Sequence, residues 1–439
     1  MTLRVLMVLP YAPDAVRVRP RELLRGLRAA GHEVTLAAPW ADERDRATLA
    51  ALERDGVAVL TAPSTRGGAL RHAAGAALRG RPLQWAWCWS AALADQAARH
   101  ARGGACDVVH VEHLRAARFG EHMLATLRRD ACAARPAVVW DGVDCIARLM
   151  RMAQRHAPSR AARVVARLEA GRTAKCEARL LRTFDAAVVT SEADAAALHA
   201  LAPGAARPGV VPNGVGTAFF TPGAGGEHDH CNAAAPRPGP GDVVLTGQMS
   251  YPANAAGPAW LVGEVMPRGW ARRPETRAFI VGQAPPAAVR RLGRDGRVVV
   301  TGRVDDLRPY LRGAGVAACP LVYGVGVQNK ALEAMACGAA VVTTPTAVAA
   351  LACEPGRDLL VAADADAFAA HVLTLLDDPA RRAALGDAGR AYVLRHHQWS
   401  DAVAAITAVY HRAIAGVRAT PTPLATASPP PPPPPPPPR

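Results

Sequence analysis

Lys330 and Glu333 stand three positions apart in the stretch "GVGVQNKALEAMACGAAVVTT", residues 324–344. On a helix that spacing puts both side chains on one face, where a surface ion pair would contribute about 0.2–0.5 kcal/mol. A second use of the same pair is recognition of a ligand with phosphate at one end and hydroxyls at the other. The glycine-spaced loop at 324–327 precedes a helix that begins near Gln328 and Asn329. Unpaired N–H groups at such a helix start attract a diphosphate. Lys330 adds a point charge, and Glu333, one turn deeper, can accept hydrogen bonds from a ribose diol.

Three further segments, "TGQ", "VGQ" and "TGR", end apolar runs on Gly247, Gly282 and Gly302. Glycine at a strand end lets a ligand or another backbone approach closely. Arg303 follows the third and offers a planar fork for phosphate. Upstream, "HVEH" places Glu112 and His113 at the end of another apolar run, where a carboxylate or imidazole can orient or deprotonate a hydroxyl. Either residue fits that role. Asp141 and Asp144 in "WDGVD" read as turn aspartates. "DAD" at 364–366 reads as a helix N-cap rather than a metal motif.

These groups need elements to hold them. "LRVLMVLP", "HEVTLAAP", "CDVVHVEH", "PAVVWDG" and "FDAAVV" are short β-branched runs separated by amphipathic helices, the grammar of a parallel sheet covered on both faces. The same grammar restarts after a Gly- and Pro-rich stretch with "GDVVLTG", "TRAFIVG", "GRVVVTG", "GVAACPL" and "AAVVTT". The expected architecture is therefore α/β, with two Rossmann-like parallel-sheet domains facing a central cleft. Residues 1–221 form the first, 222–241 a linker and 242–396 the second; the helix at 397–418 is free to cross back to the first. Ligands of such sheets bind at the carboxyl ends of the strands. The tail 419–439 ends in ten consecutive prolines, residues 429–438, a low-complexity segment that cannot pack.

At 439 residues and 50% hydrophobic composition the chain is long enough for two such cores. Its net charge of +15 comes largely from arginine and favours anionic lipid or phosphorylated ligands. No nucleic-acid-binding signature accompanies it, so nucleic acid is not expected as a partner. The nine cysteines form no CxxC pair and read as buried thiols in a reducing cytoplasm. No apolar run approaches the roughly 20 residues of a membrane span. Peripheral contact is another matter. Arg71, Arg79 and Arg81 flank Trp85, Trp87 and Trp89, a mixture suited to a bilayer interface. A second basic run, "SRAARVVARLEAGRTAKCEARLLR", reads equally as a solvated helix face.

The strings "VVVTGRVDDLRPYLRGAGVAACPL" and "VQNKALEAMACGAAVVTT" resemble the donor-binding half of GT-B glycosyltransferases of family 4. "VVHVEHLRAARF", "VVWDGVDCIARL", "LTGQMSYPANAAGPAWLVGEVMP" and "HHQWSD" are similar to the sugar transferases of exosortase and exopolysaccharide loci. The resemblance implies transfer of a sugar from a nucleotide-sugar, with retained anomeric configuration, to a glycan or polyprenyl-diphosphate-linked acceptor. It implies no metal or other cofactor. Gly247, Gly282, Arg303, Gly326, Gln328, Asn329, Lys330 and Glu333 would hold the donor, Glu333 its ribose. Glu112 or His113 would act at the acceptor, with Lys330 stabilising the departing diphosphate. Glu333 matches the second acid of the family's Glu, seven residues, Glu motif; the pattern places the first acid where this chain has Val325, and a basic pair in the loop after Gly247, which here has none. Arg17 and Arg19, in place of a glycine-rich first loop, would then meet donor phosphate or an anionic acceptor. A nucleotide-sugar epimerase or hydrolase, or a non-catalytic donor-binding subunit, is the alternative on the same frame.

Overall fold

Runs of Val, Leu and Ala buried on both sides form thirteen strands in two sheets among the described residues. The computed structural model describes the chain except residues 1, 15–16, 103, 131–134, 158, 224–235 and 420–439. Most of the expected linker and nearly all of the proline-rich tail lie outside the described residues. The first sheet contains β1 (Arg4–Val8), β2 (Glu33–Trp40), β3 (Ala58–Pro63), β4 (Val108–Glu112), β5 (Ala137–Val143), β6 (Ala186–Val189) and β7 (Gly209–Val210), in the order 3-2-1-4-5-6-7. The second contains β8 (Val243–Thr246), β9 (Ala278–Val281), β10 (Val298–Gly302), β11 (Val316–Cys319), β12 (Val341–Thr343) and β13 (Leu360–Val361), in the order 10-9-8-11-12-13. Every pairing is parallel.

Both orders reverse direction once, between β1 and β4 and between β8 and β11. Loops diverge at such a switch point and leave a crevice at the carboxyl ends of the strands. The segments singled out above follow from this: Arg17 and Arg19 come after β1, Glu112 ends β4, Gly247 follows β8 and Lys330 comes after β11.

Each face of the first sheet carries its own apolar layer. The helix Trp399–Ala419 contributes Val403, Ile406, Val409 and Tyr410 to the layer that also holds Leu3, Val5, Leu23 and Leu27. The chain thus returns from the second sheet to cover the first. The two halves also meet directly, where Leu149, Ala153, Ala157 and Ala166 pack with Ala253, Leu321, Tyr323 and Ala347. Among the described residues no helix is long and apolar enough to cross a membrane.

Candidate functional site

The helix Asn329–Ala336 begins directly after the loop from β11, and its inward stripe of Ala331, Leu332, Met335 and Ala336 is buried. That anchoring leaves Lys330 and Glu333 on the remaining face. They do not pair with each other. Lys330 Nζ donates to Asn254 Oδ1 at 2.8 Å, and Asn254 Nδ2 donates to the Gln248 carbonyl at 3.1 Å. Burial lowers the Lys330 pKa, with the Glu333 charge opposing. Burial also pushes Glu333 up to about 7, with the Lys330 charge opposing. Among the described residues the Glu333 carboxylate accepts no hydrogen bond from the protein.

Glycine is required where the strand ends converge. A Cβ on Gly282 would lie 1.7 Å from the Gly247 carbonyl oxygen, so the ends of β8 and β9 touch through bare backbone. Arg303, just beyond β10, is exposed and has no ion pair among the described residues. Gln328 turns back onto its own loop, its Nε2 donating to the Val325 carbonyl at 3.1 Å.

The loop before the helix docks on the first domain. Gly326 adopts φ 68° and donates its N–H to Asp194 Oδ2 at 3.0 Å. A Cβ there would lie 1.9 Å from Asp144 Oδ1. Burial and the neighbouring Asp194 charge push Asp144 up to about 7. Asn329 Oδ1 accepts from Asn213 Nδ2 at 3.2 Å, a second bond between the halves.

On the facing wall, Glu112 is 2% exposed and lies opposite Asp141 in the β4–β5 register. Its Oε2 is buried without a protein partner, and burial with the Asp141 charge raises its pKa to about 8. Glu112 is therefore a protonated carboxylic acid at neutral pH. His113 follows at φ 65°, a left-handed conformation costly for a non-glycine residue and concentrated at functional sites. Its Nδ1 accepts the Arg115 N–H at 3.2 Å, which assigns the remaining ring proton to Nε2. Burial, then the Arg115 charge, lowers its pKa to about 3, so the ring is neutral.

Arg19 and Arg17 face inward rather than across the cleft. Arg19 is 4% exposed; its Nε donates to Asp141 Oδ2 at 2.9 Å and its Nη1 to the Val211 carbonyl and to Asn213 Oδ1. Its Nη2 lies 2.7 Å from Asp141 Oδ2 without making a hydrogen bond, so the charge and the other two nitrogens hold the floor of the first domain. Arg17 reaches the Ala12 carbonyl at 2.8 Å and Asp45 at 3.2 Å, and stacks on Tyr11. Asp141 is consequently the buried counter-ion of Arg19, and Asp144 the seat of Gly326, rather than simple turn residues. The "DAD" reading holds: Asp364 caps its helix by accepting the Ala367 N–H at 2.8 Å.

Asn254, Asp194 and Asn213 carry weight in this geometry, and none stood out in sequence. An asparagine in a loop has many uses, and only the fold brings residue 254 beside residue 330. Of the nine cysteines, Cys88, Cys106, Cys145, Cys176, Cys319 and Cys337 are buried free thiols.

Comparison with known proteins agrees with this architecture. Residues 16–219 match the model described as "Glycosyltransferase Family 4", and residues 240–378 the one described as "Glycosyl transferases group 1". The GDP-mannose-dependent monoacylated alpha-(1-6)-phosphatidylinositol monomannoside mannosyltransferase of Corynebacterium glutamicum is 35% identical over 150 residues, 31% of this chain and 39% of that protein. The MMP alpha-(1->4)-mannosyltransferase of Mycolicibacterium hassiacum is 34% identical over 118 residues, 26% of this chain and 28% of that protein. The matched stretch thus spans well under half of either relative. Among solved structures, the sucrose-phosphate synthase of Thermosynechococcus elongatus superposes with a TM-score of 0.68 at 19% identity, covering 94% of this chain and 99% of that one. Anabaena HepE in complex with UDP-glucose gives 0.65 at 14% identity, covering 93% and 100%.

Proposed function

Because the chain belongs to glycosyltransferase family 4 and has the two-domain GT-B fold, we propose that it moves a hexosyl unit from a nucleotide-sugar to a glycan or lipid-linked acceptor. The observation that carries this reading is the Lys330–Asn254 bond beside an unpartnered Glu333, on a helix whose N-terminus faces the switch-point crevice. A donor diphosphate sits between that helix start and Lys330, and Glu333 accepts the ribose hydroxyls. Arg303 is the free fork for a phosphate oxygen. Such fixed charges act where the leaving group develops its charge, which is where preorganised electrostatics lowers a barrier most. A nucleotide-sugar as the donor agrees with the UDP-glucose complex of the HepE neighbour. The name of the Corynebacterium glutamicum relative makes GDP-mannose the first donor to try.

At the acceptor wall the roles of Glu112 and His113 separate. His113 presents Nε2–H from a neutral ring and donates a hydrogen bond to a sugar oxygen. Glu112, almost fully buried and protonated, sets the polarity beneath it. The Gly326–Asp194 and Asn213–Asn329 bonds mark a closed arrangement that excludes water and limits donor hydrolysis. Retention of configuration, cytoplasmic location, peripheral membrane contact and a place in exopolysaccharide synthesis belong to the same proposal.

The test is nucleotide release from GDP-mannose, UDP-glucose and ADP-glucose, with and without polyprenyl-diphosphate-linked glycans, for the wild type and Lys330→Ala. Acceptor-stimulated release that the variant loses is the expected result. Release that no acceptor stimulates would replace transfer with hydrolysis or epimerisation. Donor binding without any release would replace it with a binding subunit.

A further inference from the structure

Trp85 and Trp89 do not lie on the surface as the alternation in "QWAWCWS" predicts. They fall on one side of the short helix Leu83–Trp87 and the turn after it, four positions apart, and turn towards the helix His113–Arg129. Trp89 stacks on Phe119 at 5.1 Å, and Trp85 Nε1 donates to Glu121 Oε2 at 2.7 Å. Trp87, on the other side, is 45% exposed. The two inward rings line a shallow, open pocket of about 290 Å³, together with Arg118, Glu121, His122 and Arg179. That is the small end of the ligand-pocket range.

The charges in this pocket do not balance. Glu121 is already engaged, taking Arg179 at 2.7 Å together with the Trp85 N–H. His122 is turned to Asp95 at 3.1 Å. Arg118 makes no ion pair and no hydrogen bond among the described residues, although the Glu121 charge stands near enough to act on it. It lies only over the faces of Trp89, at 4.1 Å, and Trp85, at 5.1 Å, and both burial and the nearby Arg79 charge lower its pKa. Arg179 Nε is likewise buried without a partner. Arg81 stands over the outer part of Trp85 at 5.6 Å. A guanidinium held half-buried on two indoles with its donors unspent is a site prepared for an anion.

The surface around the pocket indicates what carries that anion. Leu70 and Leu78, on the helix Arg66–Leu78 packed against the tryptophan helix, are 62% and 89% exposed. Val164, Val165 and Leu168, on the helix Arg160–Thr183, are 57%, 51% and 62% exposed. Glu169 of that helix accepts the Leu83 N–H at 2.8 Å, which joins the two surfaces. Apolar side chains without a fold-related partner, interleaved with arginines, fit an anionic bilayer interface. The tryptophan helix is also tied to the helix that starts at His113: Arg115, two residues after His113, donates to Gln84 Oε1 at 3.3 Å. Along the helix from His113, Arg118 stands about 7.5 Å deeper at 1.5 Å per residue.

We propose that this pocket holds the phosphate of an anionic membrane lipid, with Arg118 and Arg179 as its donors, and thereby seats the first domain on the bilayer beside the acceptor wall. It deepens the peripheral-membrane part of the reading above and rests on that part alone. The test is flotation of the full chain with vesicles of phosphatidylglycerol in phosphatidylcholine and with phosphatidylcholine alone. Arg118→Ala is compared with Arg118→Gln, which keeps a planar group over Trp89 and removes the charge. Binding of GDP or UDP and the unfolding midpoint are followed in parallel as checks on folding. The expected result is flotation only on the anionic vesicles, reduced about tenfold in both variants, with nucleotide binding unchanged. Wild-type protein that ignores both vesicles would overturn membrane contact itself. Variants that float like the wild type would overturn the pocket and leave membrane contact standing. Inorganic phosphate that binds the wild type and abolishes flotation at equal concentration would reassign the site to a soluble phosphate.

Discussion

Gly326 donates its backbone N–H to Asp194 across the cleft at 3.0 Å, and its Cα presses on Asp144 so closely that a Cβ would fall 1.9 Å from the carboxylate. Gly326→Ala therefore cannot keep this arrangement. Its left-handed φ adds strain of roughly 1–3 kcal/mol. The expected outcome is a kcat reduced at least tenfold, with donor KM changed less, because closure rather than donor capture is lost. Steady-state kinetics checks this; an unchanged kcat would show that turnover does not use the contact.

Lys330→Ala should lower kcat by about 10²–10³, the range for removal of one preorganised charge donor. Asn254→Ala leaves the lysine in place but frees its ammonium, so a loss nearer tenfold is expected, about 1.4 kcal/mol. Equal effects of the two variants would mean that Asn254 itself contacts the donor.

Arg303 is exposed and makes no ion pair among the described residues, so Arg303→Ala should leave the stability within about 0.5 kcal/mol of the wild type in urea unfolding. Donor kcat/KM should nevertheless fall. Arg19 behaves in the opposite way. Arg19→Ala strands Asp141 in the core and should destabilise by roughly 3–5 kcal/mol. Intact stability with a raised donor KM in Arg19→Ala would instead identify Arg19 as a phosphate ligand.

Glu112 gives a pH signature. Its folded pKa of about 8 lies above the unfolded carboxylate value, so between roughly pH 4.5 and 8 the folded chain binds more protons than the unfolded one. The stability it contributes is full below the unfolded pKa and is lost as pH rises through 8. Glu112→Gln removes this dependence. The difference between wild-type and variant urea stabilities should change by about 2 kcal/mol or more across that window. His110 and His113, lowered by burial to about 4 and 3, add a slope of opposite sign at lower pH that is common to both proteins and cancels.

Glu333 gives another in the kinetics. With a pKa of about 7, its ionised, hydrogen-bond-accepting form grows as pH rises from 6 to 8. Donor KM should fall over that interval, and Glu333→Gln should flatten the profile. A wild-type donor KM that is flat with pH would remove Glu333 from ribose recognition.

Residues that act through local pattern were legible before any fold was in hand. The β-branched runs ending on Gly247 and Gly282, the helix start at Gln328 and the Lys330–Glu333 spacing are properties of neighbouring positions, and periodicity displays them. The Asp364 cap is legible for the same reason. Trp85, Trp87 and Trp89 mark the limit of that reading. Alternation on the page became opposite sides of a short helix, so two of the three rings turned inward and built a pocket.

What the sequence by itself determined is the alternation of strand and helix, the division into two sheets and the helix that carries Lys330 and Glu333, because each follows from contacts within a few tens of residues. Only the tertiary structure decided that Arg19 spends its charge on Asp141, that Asn254 holds Lys330, that Gly326 reaches Asp194, and that Arg118 lies over Trp85 and Trp89. Arg19 and Asp141 are separated by 122 positions and Gly326 and Asp194 by 132. Burial, which sets the charge of Glu112 and Glu333, likewise comes from many distant segments closing around one group. Contacts of that range are specified by packing of whole elements, and no local pattern records them.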